Sequence, residues 1–425
     1  LAYDSRSRKK QSVIEYLIQQ DLREPVVPQA CENVDIAIVG GGLVGSSLAC
    51  ALERSGLSVA LIEAADTPEV TPGFDQRKLA LAQRSINALE RLGVLSQLSV
   101  PPTPILRIHV SRAGDFGRTL LDAADFGHAG FGAVVLAQDL GLALAKRVQS
   151  LQRTRRFCPA RVLACRFSAE GAHLTLSAAE GEKHIAARLV VAADGTDSFI
   201  RTAAGIATRS HDYGQTLFVC SLRAEHASDG TAYERFSNQG PMALLPMADG
   251  AYGAICGIAG ADAPAIAALD DADYAAYFQS RFGWRVGKIH ATGKRTVYPL
   301  KQIVAERLHA YCAVLMGNAA QTIHPIGAQG FNLGLRDALS LAKLALTEGV
   351  HESTAAAYSA SRQDDRSRTL AFSDGLARMT ANPGAPAHVL RSLVLLALGT
   401  APALAAGLVS GGMGYRGSSR FEEVL

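Results

Sequence analysis

No two cysteines in the chain stand as CxxC, and no histidines cluster at metal-ligand spacing. The seven cysteines, Cys31, Cys50, Cys158, Cys165, Cys220, Cys256 and Cys312, are odd in number and scattered. That pattern excludes a zinc site built on paired thiols and a reductase that passes electrons through two neighbouring thiols. It leaves buried free thiols in a reducing compartment. Charge of one sign is equally scarce: 42 Lys and Arg stand against 39 Asp and Glu, a net of +3. No stretch interleaves basic and aromatic residues as a strand-binding platform does, so nucleic acid is not an expected partner. The opening segment LAYDSRSRKKQSVIEYLIQQDLREPVVPQACEN has no long apolar core of the secretory kind. It reads as an extension, residues 1–33, in which VIEYLI is a short helix.

What remains is a globular composition. At 425 residues and 48% hydrophobic, the chain can build two or three domains with real cores. The first regular unit is DIAIVGGGLVGSSLACALERSGLSVALIEA, residues 35–64. An apolar run, a glycine turn, a helix and a second apolar run make a β-α-β unit. Gly40, Gly42 and Gly45 form G-x-G-x-x-G, and Glu63 closes the second strand. Glycines there let the chain turn tightly, approach a pyrophosphate and pack helix on strand, while the helix start faces the negative charge. Glu63 then accepts from an unphosphorylated adenosine ribose, as in FAD or NAD, or is simply a solvated acid at a strand end.

Beyond this unit, DQRKLALAQRSINALERLGV (75–94) has apolar residues at helical spacing from Leu81 to Leu92. Arg77 and Arg84 lie at its start, where cations oppose the helix dipole and hint at an anionic neighbour. Residues 101–131 read as short extended pieces, and GAVVLAQDLGLALAKRV returns to helix. RVLACRFSAEGAHLTLSAAEGEKHIAARLVVAADG ends in a buried strand before Asp194-Gly195, which a bland reading makes a turn. Residues 205–300 are strand-rich with one helix near 270–282, so a mainly β domain interrupts the first. CAVLMG (312–317) is a further strand of the first sheet, followed by a long helical region to about 379. Between Arg391 and Arg416 the 24 residues SLVLLALGTAPALAAGLVSGGMGY carry no charge. Gly399 and Pro402 interrupt them, so they read as a helical pair packed on the protein or dipping into one leaflet rather than a true span.

Together, G-x-G-x-x-G with Glu63, VVAADGTDSFIR (190–201) and MGNAAQTIHPIGAQGFNLGLRD (316–337) resemble the three fingerprints of class A FAD-dependent aromatic monooxygenases. The likeness runs from about residue 34 to 416, includes Tyr358, Arg362 and Asp365 as Y-x-x-x-R-x-x-D and the late GYRG at 414–417, and is greatest to the ubiquinone-biosynthesis hydroxylases that act on 2-polyprenyl-6-methoxyphenol. It implies an α/β fold in which a Rossmann-like FAD-binding domain is interrupted by a mainly β substrate domain and followed by a C-terminal helical region. The expected divisions are FAD-binding at 34–105, 137–205 and 301–345, substrate domain at 106–136 and 206–300, and helices at 346–425.

By the same resemblance, Gly40, Gly42, Gly45 and Glu63 hold the ADP half of FAD. Arg84 and Gln138 lie near its phosphate or ribityl chain, and Asp194 with Gly195 serve FAD and the encounter with NADH or NADPH. Gly317-Asn318 replaces the usual Gly-Asp that holds the ribityl chain. In Ile326-Gly327-Ala328-Gln329-Gly330 the Ala and Gly are swapped relative to the family, which moves the place where a positive φ is tolerated. Pro325 forms an apolar wall beside the flavin ring, Gly327 and Gly330 allow close approach, and Gln329, Phe331 and Asn332 open the helix whose backbone N–H groups face the ring's pyrimidine edge. No metal is implied.

The implied reaction is hydroxylation of a polyprenyl phenol by O2 through a C4a-hydroperoxyflavin, after hydride transfer from the nicotinamide. His324 is either the base that deprotonates the phenol or a residue that orders the loop. Three alternatives stand beside this: a sister hydroxylase acting at another ring position, a flavin-dependent prenyl reductase, and a non-catalytic flavin-binding subunit of a quinone-biosynthesis complex. The expected setting is cytoplasmic, peripheral on a bacterial inner membrane.

Overall fold

The computed structural model describes residues 31–66, 77–324, 327, 329–381, 396–397 and 402–414. The N-terminal VIEYLI segment, Pro325, Ile326, Ala328 and much of the uncharged C-terminal stretch lie outside the described residues.

One sheet carries the nucleotide-binding signature. Its parallel strands are β19 (Ala313–Leu315), β11 (Gly181–Ala192), β1 (Cys31–Val39), β2 (Val59–Ile62) and β8 (Thr154–Phe157), side by side in that order. Antiparallel β18 (His309–Ala310), β9 (Ala160–Phe167) and β10 (Ala172–Ala178) extend it. Ile36, Ala37 and Ile38 are fully buried, as expected of a parallel strand covered on both faces. The covering helices are α1 (Leu43–Ala51), α3 (Ala137–Gln149) and α7 (Gln329–Glu348).

The second sheet is antiparallel apart from one pair. It runs β20 (Gln321–Thr322), β17 (Thr296–Ala305), β12 (Thr208–Ala224), β15 (Tyr252–Ala259), β14 (Met242–Pro246), β13 (Thr231–Phe236), β5 (Arg107–Arg112), β6 (Arg118–Asp122). β16 (Ile289–Thr292) pairs with the far end of β12. One face packs on helix α6 (Asp271–Phe282) through Phe218, Leu244, Tyr252, Tyr274, Phe278 and Phe282; the short helix α5 (Ala263–Ala267) precedes it.

A small third sheet, β3 (Lys78–Ala82), β7 (Gly132–Leu136) and β4 (Thr103–Ile105), joins the two halves. It corrects two sequence expectations. The helix expected from the spacing of Leu81 to Leu92 begins only at Gln83, as α2 (Gln83–Arg91), and GAVVL is strand rather than helix. KLALA and GAVVL pair antiparallel from Lys78↔Leu136 to Ala82↔Gly132, so ladder bonding outweighs the helical spacing that Leu81 shares with Leu92. Helix α4 (Phe199–Ala203) follows the second fingerprint, and α8 (Thr354–Ala381) packs on α7. Helix α9 (Pro402–Gly412) seats Val409 and Met413 against Phe131, Val134, Ala232 and Leu245, where the third sheet meets the second. Among the described residues no helix is long and apolar enough to cross a membrane.

Candidate functional site

Four fingerprint elements leave the sheet at one edge because their strands are neighbours. Reading across β19, β11, β1 and β2, the residues just past the strand ends are Gly317, Asp194, Gly40 and Glu63. Ligands of open parallel sheets bind in this crevice, outside the carboxyl ends of the strands.

The first turn is tight. Gly40 has φ +103°, and a β-carbon there would fall 2.3 Å from the Ala193 carbonyl oxygen. One at Gly45 would fall 2.0 Å from the Gly40 carbonyl oxygen, so close packing of α1 on β1 demands that glycine. Gly42 differs: it precedes α1, and a β-carbon there would meet nothing within 4 Å. The chain itself does not need glycine at that point, and the space fits a pyrophosphate lying against the helix start. Gly330 is similarly open, and so is the space at Gly195, although its φ of +86° itself calls for glycine. The Glu63 carboxylate accepts from Gly41 N at 2.6 Å and Ala65 N at 2.8 Å, which fixes it beside the turn with lone pairs left for a sugar hydroxyl.

The second loop is built by its own side chains. Asp194 accepts from Ser198 Oγ at 2.5 Å and from Ile200 N at 3.2 Å, and Ser198 caps α4 by accepting from Arg201 N. Arg201 donates to Ala319 O at 3.0 Å and Thr196 O at 2.8 Å, while Thr196 and Thr322 share a hydroxyl hydrogen bond at 2.9 Å. These contacts lock the second fingerprint to the third.

The third loop rests on a buried polar lattice. Gln321 donates to Asp337 at 3.0 Å and accepts from Arg366 at 2.9 Å; Asp337 also accepts from Arg362 Nε at 2.7 Å. Arg362 and Arg336 both reach Asp365, Arg366 donates to the carbonyls of Ala305 and Ala320, and Tyr358 donates to Leu315 O. Burial works against the Arg362 charge, but Asp337 and Asp365 hold the guanidinium more firmly protonated than usual. The Y-x-x-x-R-x-x-D residues of α8 thus buttress the loop from beneath. From above, α7 crosses α1 so closely that a β-carbon at Gly334 would lie 2.7 Å from Val44.

The remaining site residues fall as follows. Gly317 is buried with φ +56°, and Asn318 beside it is exposed. Gly327 has φ +72°, so the swapped glycine does occupy a left-handed position. Gln329 donates to Gly327 O at 3.0 Å, and Phe331 packs on the main core. Asn332 is occupied by β3: it accepts from Ala82 N at 3.0 Å and Ser85 Oγ at 2.7 Å and donates to Ala80 O at 3.0 Å. Arg84, in the first turn of α2, donates to Gly414 O at 2.9 Å, so the late C-terminal turn docks on it. Gln138 is half-buried in the first turn of α3, one turn before Gly141, which faces Leu43 of α1.

His324 is 2% exposed, edge-on to Tyr213 at 4.8 Å between centroids, and its carbonyl accepts from Ser373 Oγ. Burial pushes its imidazole down to about 4, which keeps it neutral at pH 7 and makes it a weak base. The second sheet presents its other face, opposite α6, toward the third sheet and α9. Across this face run Val110, Glu234, Ala243, Ile255 and Val219 in register. In the sequence AYERF, Glu234 resembles any polar position of an alternating strand; only the pairing shows that its face is the covered one. Among the described residues no group of His, Cys, Asp or Glu is placed to hold a metal.

Residues 33–373 match the FAD binding domain family. The chain is 35% identical over 379 residues to the ubiquinone hydroxylase UbiL of Rhodospirillum rubrum, covering 87% of each chain. It is 30% identical over 316 residues to the 3-demethoxyubiquinol 3-hydroxylase of Escherichia coli, covering 72% of this chain and 78% of that protein. The p-nitrophenol 4-monooxygenase PnpA of Pseudomonas putida superposes with a TM-score of 0.74 at 17% identity, over 91% of this chain and all of that one, a likeness of fold. With the glycine turn, Glu63, the Asp194 loop and the buttressed Gly317 loop converging on one crevice, the chain belongs to the FAD-binding monooxygenase family that includes the ubiquinone hydroxylases.

Proposed function

We propose that this protein hydroxylates the ring of a polyprenyl phenol in ubiquinone biosynthesis, using FAD, O2 and NADH or NADPH. The observation that supports it most is the 35% identity to a ubiquinone hydroxylase over 87% of both chains, joined to a crevice whose open glycine positions suit a bound dinucleotide. FAD, when bound, supplies the hydride acceptance and oxygen activation that no side chain here can.

The residues of this chain bind, orient and shield. Gly40, Gly42 and the start of α1 receive the pyrophosphate, Glu63 the adenosine ribose, and Arg84 and Gln138 flank the phosphate side. Asp194, Gly195 and Asn318 approach the ribityl chain. Gly327 and Gly330 would border the ring, and the first N–H groups of α7 lie where negative charge is favoured. The second sheet turns a mainly apolar face to the third sheet, which would help keep water from the ring. His324, neutral and enclosed by Tyr213 and Ser373, orders the loop rather than taking the phenolic proton. The uncharged character of the sequence 392–415 would suit contact with a membrane surface from which a prenylated substrate arrives. Incubating the holoprotein with a short-chain 2-prenylphenol and NADH or NADPH, and weighing the product, tests the reading. A gain of one oxygen supports hydroxylation; a gain of two hydrogens overturns it in favour of a prenyl reductase.

A further inference from the structure

One carboxylate on the covered sheet face has no partner. Glu234 lies at the centre of β13, paired with Val110 of β5 and Ala243 of β14. Its same-face neighbours along the strand are Ala232 and Phe236, and Ile255 and Val219 continue the row beyond Ala243. Every one of these is apolar. Tyr233 and Arg235 point the other way: Tyr233 packs on Phe282 and Tyr252, and Arg235 donates to the Arg281 carbonyl of α6.

Glu234 is half-buried among covered apolar side chains. Its strand and both neighbouring strands surround it with apolar residues on a face that the third sheet covers. This face carries β3, which is hydrogen-bonded to Asn332 at the start of α7, so it is turned toward the nucleotide-binding half. Among the described residues no hydrogen bond or ion pair satisfies the carboxylate. A buried, unpaired carboxylate is costly, and a fold retains one where it meets a ligand.

We propose that Glu234 is the catalytic base of this site, accepting the hydroxyl proton of the phenol so that the ring reaches the flavin as a phenolate. This rests on the hydroxylase reading. The phenolic O–H bond breaks, a carboxyl O–H bond forms on Glu234, and the electron pair stays on the phenolic oxygen, which enriches the ring carbons ortho and para to it. No oxidant is consumed in this step.

Burial pushes the Glu234 carboxyl up to about 7, whereas His324 is pushed down to about 4. A phenol ionises near pH ~10, so Glu234, raised by burial, is a better matched acceptor than His324, lowered by it. The other charged groups turned to this face are spoken for. Arg112 is held by Asp115 and Asn238; the exception is Lys78, which packs its stem at Gly253 and whose ammonium is pushed down by burial, so it is less able to hold a charge opposite Glu234. His109, Tyr233, Arg235 and Arg285 are associated with the opposite face.

The test compares wild-type holoprotein with Glu234→Gln, an isosteric change. Binding of a 2-prenylphenol to the oxidised holoprotein, measured without NADH or NADPH, should tighten as pH rises through about 7 in the wild type and stay flat in the variant. Glu234→Gln should keep FAD, and its hydroxylation rate should fall by about 10²-fold or more, without the rising limb of the wild-type pH profile. A variant that hydroxylates at the wild-type rate with the same limb overturns the proposal while leaving the hydroxylase reading intact. A wild-type protein that hydroxylates no phenol overturns both. If Glu234→Gln fails to accumulate, phenol affinity of the wild type that is independent of pH from about 5 to 9 overturns it as well.

Discussion

Asp337→Ala should loosen the third loop from below. Asp337 accepts from Gln321 at 3.0 Å and from Arg362 at 2.7 Å, and the Asp337 and Arg362 side chains are 2% and 7% exposed. Removing the acceptor leaves Arg362 half satisfied beside Asp365 and frees Gln321 to release Arg366. Breaking a buried pair by deleting one partner costs about 3–5 kcal/mol, a large part of the roughly 5–15 kcal/mol that holds a domain folded. Arg362→Met alone should cost a similar amount. Combined, the two should cost clearly less than their sum, because the double variant no longer buries the Arg362 charge without Asp337; a coupling of about 1–3 kcal/mol is expected. Urea denaturation of the four holoproteins measures the cycle, and FAD fluorescence on dilution measures how far the Gly317–Thr322 loop has lost its hold. A cost below about 1 kcal/mol for Asp337→Ala, or additivity within about 0.5 kcal/mol, would refute the view that this lattice braces the site.

The glycines of the first turn should separate folding from cofactor binding: Gly45→Ala destabilises the apoprotein, because its β-carbon meets the Gly40 oxygen at 2.0 Å, whereas Gly42→Ala leaves thermal unfolding of the apoprotein nearly unchanged and lowers FAD retention. His324, pushed down to about 4 from the ordinary 6.5, contributes stability that is present above pH 6.5 and lost as pH falls through about 4. The loss is about 3 kcal/mol, and unfolding midpoints of His324→Asn between these limits should lack that component. His324→Ala should still couple NAD(P)H use to hydroxylation within about tenfold, since a true base would cost about 10²–10⁴-fold. Asn332→Ala strands the Ala82 N–H and Ser85 hydroxyl inside the protein and should cost about 2–4 kcal/mol, read by urea midpoint.

The nucleotide half was legible because its chemistry is local. Gly40, Gly45 and Glu63 sit within one β-α-β unit, and the steric reasons for the glycines are satisfied by backbone atoms a few residues away or on the adjacent strand. The Asp194 and Gly317 loops follow buried apolar runs that can only be neighbouring parallel strands, so their convergence follows from sheet order. What periodicity misread, KLALA and GAVVL, depends on a partner some fifty residues distant, and a five-residue apolar stretch fits either element until that partner is known. The bracing role of Arg366 and Gln321 was hidden for the same reason: their contact spans 45 positions. Glu234 was invisible because a single acid in an alternating strand reads as solvent-facing, and only register against Val110 and Ala243 places it inside. Asn332 shows the reverse, a motif residue whose amide is taken up by the backbone of β3.

The central claim is that this chain places an oxygen atom from O2 on a prenylated phenol. Single turnover of the FAD-loaded protein under oxygen-18 gas, with NADH or NADPH and a 2-prenylphenol, followed by mass spectrometry of the product, tests it most directly. The account predicts a ring hydroxyl carrying the heavy isotope. Product that is unlabelled, reduced at the prenyl chain or absent despite full FAD occupancy would contradict it.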